Sequence, residues 1–112
     1  MSERGRRIGL NEAVFREVNE RIEKLAQELG LESEPLDIVC ECGDPTCVRH
    51  IRITRTAYEQ VRSDPTHFAV FPGHGIPEVE DVVERGEGYD IMRKRDGAPA
   101  QVAEETDPRS TG

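Results

Sequence analysis

The sequence predicts an α+β domain, with a long N-terminal amphipathic helix packed on a small, mostly antiparallel sheet, a cysteine-bearing knuckle and one short second helix. Three observations lead there. Apolar residues recur at helical spacing from Asn11 to Leu29. Beyond them come short apolar runs cut by Gly, Pro and Asp, the mark of short strands joined by tight turns. All three cysteines fall between Cys40 and Cys47, flanked by two of those runs.

The first element reads "NEAVFREVNERIEKLAQEL", with Val14, Val18, Ile22, Leu25 and Leu29 on one face and Glu and Arg on the other. That face is expected to cover the core, with a dimer or partner contact as the alternative. Asn11 suits the N-cap and Gly30 the C′ position. "LDIVC" (36–40) and "HIRIT" (50–54) read as strands on either side of the cysteines. Thr56 to Glu59 fits a capping box opening a short helix that ends before Ser63-Asp64-Pro65. "HFAVF" (67–71) is a further strand, and "VEDVVE" and "YDIMRK" flank "RGEG" as a hairpin. Residues 1–9 are expected to be a disordered basic tail, 10–95 a single domain, and 96–112 a disordered tail of small and polar residues.

The spacing Cys40-x-Cys42-x4-Cys47 offers three soft thiolates, which need one more ligand for a tetrahedral Zn2+ site. A turn over Glu41 to Gly43, with Gly43 at positive φ, is expected to bring the sulfurs together, and amides of Gly43, Asp44 or Thr46 to donate to them. His74, held in "FPGHGIP", is the first candidate for the fourth ligand; His50, His67, a carboxylate or water are the alternatives. Glu41 reads as a surface-loop residue.

"NEAVFREVNERI", "CECGDPTC", "YEQVRSDPTHFAVFPGH" and "VVERGEGYDI" together resemble a family of short, uncharacterised bacterial proteins common in actinobacteria. The likeness runs from about Asn11 to Lys94 and implies a Cys3His zinc site at Cys40, Cys42, Cys47 and His74. It implies no activity. The cysteine spacing alone is also similar to the post-SET segment of lysine methyltransferases, which supports zinc geometry but not methyl transfer.

Composition narrows the function. A net charge of −8 argues against a general nucleic-acid binder, although Arg4, Arg6 and Arg7 form a basic arm and Arg49, Arg52 and Arg55 sit near the knuckle. No apolar run reaches the roughly 18 residues of a membrane helix, and no h-region follows the N-terminal arginines. A cytoplasmic setting with reduced thiols is therefore expected. HExxH, the deaminase signature, G-x-S-x-G and a phosphate loop are all missing, so no enzyme is predicted. The expectation is a structural-zinc module that acts by binding a protein partner, with a thiol redox switch, a nucleic-acid module and, last, a zinc enzyme as alternatives.

Overall fold

The computed structural model describes residues 3–109. The elements run α1 (Glu3–Glu28), β1 (Leu36–Val39), β2 (His50–Ile53), α2 (Arg55–Arg62), β3 (His67–Val70), β4 (Glu80–Arg85), β5 (Asp90–Lys94) and α3 (Ala98–Glu105). The fold is α+β with antiparallel pairing throughout, in two sheets: β1-β2, and β3-β5-β4. The β1-β2 register sets Ile38 opposite Ile51 and Leu36 opposite Ile53, all buried. These four join Tyr58 and Val61 of α2, Ala69 of β3 and Ile91 of β5 in one hydrophobic cluster. A register shift between Val82 and Glu84 kinks edge strand β4.

Several local expectations hold. α1 closes with Gly30 at φ 74, its N–H donating to the Gln27 carbonyl while Leu31 donates to Ala26. This doubled C-terminal bond satisfies carbonyls that a helix end leaves open. The β4–β5 hairpin turns at "RGEG", with Gly88 at φ 88. The α2 cap lies earlier than expected, at Thr54, whose hydroxyl accepts from the Ala57 N–H.

The buried face of α1 is the opposite of the expected one. Val14, Val18, Leu25 and Leu29 are exposed, whereas Glu12, Arg16, Asn19 and Glu23 are buried; only Ile22 and Ala26 of the apolar stripe reach the core, in part. Specific polar bonds explain the inversion. Asn19 gives its amide N–H to the Val39 carbonyl and accepts the Val39 N–H, both at 2.9 Å, so its side chain pairs with β1 as a neighbouring strand would. Arg16 donates to the carbonyls of Pro65 and Ala103 and lies 4.6 Å over the Phe68 ring. Lys94 of β5 bonds Glu12 and, at 2.6 Å, Glu80.

Both expected tails are corrected. Residues 3–9 are helical, held by buried Ile8; residues 1 and 2 lie outside the described residues. The expected 96–112 tail contains α3, which packs on α1. Its small residues allow this: Ala100 and Ala103 are buried, and a Cβ on Gly9 would stand 2.9 Å from Val102. Arg109 then pairs with Glu20, Glu23 and Glu59; residues 110–112 lie outside the description. Asn11, the expected N-cap, is mid-helix and donates to the Gly43 carbonyl instead.

Two predictions follow from the buried polar layer. Arg62 is 4% exposed and bonds both oxygens of the fully buried Glu41. Arg62→Met leaves that carboxylate unpaired and lowers unfolding free energy by about 3–5 kcal/mol, read as a shift in the urea midpoint; pairing it with Glu41→Gln recovers part of the loss.

Glu12 is pushed up from 4.5 to about 8, first by burial, opposed by Lys94 and reinforced by Glu80. One ammonium facing two carboxylates is neutral only if a proton stays in the cluster. The folded chain thus holds a proton that the unfolded chain releases above 4.5. Stability from this group is full below 4.5 and falls as pH rises towards 8, by up to about 1.4 kcal/mol per pH unit. Glu12→Gln flattens that fall in pH-dependent denaturation; an unchanged slope rejects the assignment.

Candidate metal centre

The knuckle is built on strand alternation. The chain stays open from Cys40 to Cys42, with the Cys40 N–H bonded to the Arg49 carbonyl on one side and the Glu41 N–H bonded to the Ala69 carbonyl on the other. Side chains two apart on such a segment share a side. The two sulfurs therefore face one way and Glu41 the other, and the expected turn at Glu41 is not needed. The bend begins at Gly43. Gly43 is not at positive φ; it is required by close approach, since a Cβ there would stand 2.4 Å from Cγ2 of Ile8 on α1. Asp44 then accepts the Thr46 N–H and hydroxyl at 2.9 and 2.7 Å, and this turn returns the chain to Cys47.

His74 completes the cluster. Its Nδ1 lies 3.7 Å from Cys40 Sγ and 3.6 Å from Cys47 Sγ, although it is 34 and 27 positions away in sequence. The ligand atoms of Cys40, Cys42, Cys47 and His74 all lie within 4.8 Å of one another. Gly73 at φ 83 turns the loop, its N–H donating to the buried Asp90 carboxylate at 3.1 Å. The imidazole also rests against Phe71, ring centroids 5.2 Å apart. Gly75 lets the loop lie on Met92, whose Cε would meet an added Cβ at 2.3 Å.

Hydrogen bonding favours negative sulfur here, against burial, which disfavours it. Cys40 and Cys42 are 2% and 3% exposed, and Cys47 is half-buried. The Phe71 N–H donates to Cys40 Sγ at 3.1 Å. Cys42 is pulled down to about 5, chiefly by the hydrogen bond from Cys40 and further by the Asp44 amide; Cys40 rises correspondingly because it keeps the shared proton. Of the loop amides expected to face the sulfurs, Asp44 does so, while Thr46 serves the Asp44 turn.

Three converging sulfurs and one imidazole nitrogen suit a thiophilic metal ion. The other histidines stand elsewhere, His50 beside Asp37 and His67 beside Asp64, each at 3.4 Å. Of the arginines near the knuckle, Arg49 lies 5.0 Å over the Phe71 ring and Arg55 pairs with Glu23 at 3.5 Å. Glu41 is the correction with most consequence. It is no surface-loop residue but fully buried, bonded to Arg62, Asn19 Nδ2 and the Ala69 N–H. Its alternation with the two cysteines was the available signal. No protein family, curated protein or solved structure matches this chain, so geometry carries the reading of the site.

Gly43→Ala tests the fit of knuckle to helix. Its Cβ meets both the side chain and the Cα of Ile8, so α1 must shift. We expect a loss of about 1–3 kcal/mol, which Ile8→Ala partly reverses in a double-mutant cycle.

Proposed function

We propose that the chain is a structural-zinc module in which Cys40, Cys42, Cys47 and His74 hold one Zn2+ and fix a platform for a protein partner. The separation of His74 Nδ1 from the sulfurs of Cys40 and Cys47, 3.7 and 3.6 Å, carries this reading. Tetrahedral bonds of about 2.3 Å to sulfur and about 2.0 Å to nitrogen set a sulfur–nitrogen edge near ~3.6 Å. A Cys3His set is the closed kind, suited to holding structure rather than to activating water. Glu41, the carboxylate between Cys40 and Cys42 in sequence, points away and is locked by Arg62, which supports a non-enzymatic role.

Zinc would join three pieces of chain: the end of β1, the loop into β2, and the loop after β3. These pieces belong to different sheets, so the ion would tie the two sheets together. Reduced thiols fit a cytoplasmic setting. No described helix is long and apolar enough to cross a membrane. The charge of −8 favours a protein partner over phosphate backbones.

Metal analysis of protein purified without chelator tests the site. One zinc per chain is expected in the wild type. His74→Ala should weaken zinc retention against a competing chelator by on the order of 3 kcal/mol, a quarter of the roughly 10–16 kcal/mol of a four-ligand structural site. Wild-type protein without zinc overturns the proposal.

A further inference from the structure

We infer that α1 is a homodimer interface, its exposed apolar stripe packing antiparallel against the same stripe of a second copy. The inference needs only the surface of α1 and is independent of the metal reading. Val14, Leu25 and Leu29 are 61%, 55% and 64% exposed, and Leu10 and Val18 extend the row. The row spans about 28 Å of helix at 1.5 Å per residue. Ala13 and Thr106 join Leu10, Val14 and Val18 in lining an open groove along it.

Solvated aliphatic rows of this length are rare on monomers, because each side chain left in water forgoes roughly 1.5–3 kcal/mol of burial.

Charge selects both occupant and direction. The start of the helix carries Arg6 and Arg7, beside Arg4, which pairs with Glu78 at 2.6 Å, while its end and the following loop carry Glu28, Glu32 and Glu34. A parallel pair would stack like charges at each end. An antiparallel pair, with its two-fold axis between Glu17 and Val18, sets Leu10 opposite Leu25 of the partner subunit and Arg7 opposite Glu28 of the partner subunit. The surface is then complementary to itself, as a two-fold interface requires. The helix dipoles also oppose favourably. Near the axis, Glu17 and Arg21 of one helix form only a loose 3.8 Å contact, with side chains 51% and 80% exposed, which leaves both free to pair across the interface.

Sedimentation or light scattering on the full chain across micromolar concentrations tests this. The wild type should be a dimer. Leu25→Asp, at an exposed position, should give a monomer with unchanged helical circular dichroism and metal content. Arg7→Glu and Glu28→Arg should each weaken the dimer at least about tenfold, since every dimer holds two such pairs. The doubly swapped chain should recover it. A wild type that stays monomeric, a dimer indifferent to Leu25→Asp, or a double swap that fails to recover association overturns the inference.

Discussion

The Glu41 carboxylate is the contact on which the rest of the structure depends. It has no exposure to water, yet all its acceptor sites are used. Oε1 takes Arg62 at 2.6 Å and the Ala69 N–H at 2.9 Å; Oε2 takes Arg62 at 2.8 Å and Asn19 at 2.7 Å. An ionised carboxylate offers about four such positions, so the group is saturated. These donors come from α2, β3 and α1. One side chain, set between two cysteines, thus fixes both helices and the second sheet relative to the knuckle. A buried ion pair is a weak source of net stability, but it is intolerant of misplacement, because a slipped partner leaves a bare charge. Its contribution is to specify one arrangement.

This also explains how the candidate metal site is prepared. Alternation sends Cys40 and Cys42 to one side and Glu41 to the other, so anchoring Glu41 aims both sulfurs. The Ala69 backbone closes the link in both directions, accepting from the Glu41 N–H and donating to its carboxylate. Two residues beyond Ala69, the Phe71 N–H reaches Cys40 Sγ, and the same loop delivers His74. Strand β3 therefore serves the inner network and the outer ligand cluster together.

The parts of the fold that were legible in the sequence are those set by local chemistry. Short apolar runs place β1, β2, β3 and β5 within a residue or so, and Gly30 and the "RGEG" turn mark their sites by backbone preference alone. Cysteine spacing and the glycine-flanked His74 point to the residues that converge. Glu41 and α3 were not legible, for different reasons. A charged residue in a Gly- and Pro-containing loop reads as solvated unless its partner, 21 positions away, is known. Helix α3 buries mainly alanine, so its docking rests on close approach and on Arg16, which hydrophobic patterning does not register.

The inverted helix α1 is the most instructive departure. Periodicity locates a helix and its apolar stripe but not what the stripe faces. Here the opposite stripe, Glu12, Arg16, Asn19 and Glu23, meets complementary groups from β1, β5, α3 and Arg109. Turning α1 to bury its valines and leucines would strip Glu41 of Asn19, Lys94 of Glu12 and Ala103 of Arg16. Each neutral group left buried and unpaired would cost about 1–3 kcal/mol, and each charge more, which offsets the apolar burial gained. The buried polar face therefore fixes the rotation of the helix, and the apolar face is left outward. An outward apolar face on a helix so firmly held is a rigid surface, ordered before any partner arrives, so association there incurs little further conformational entropy.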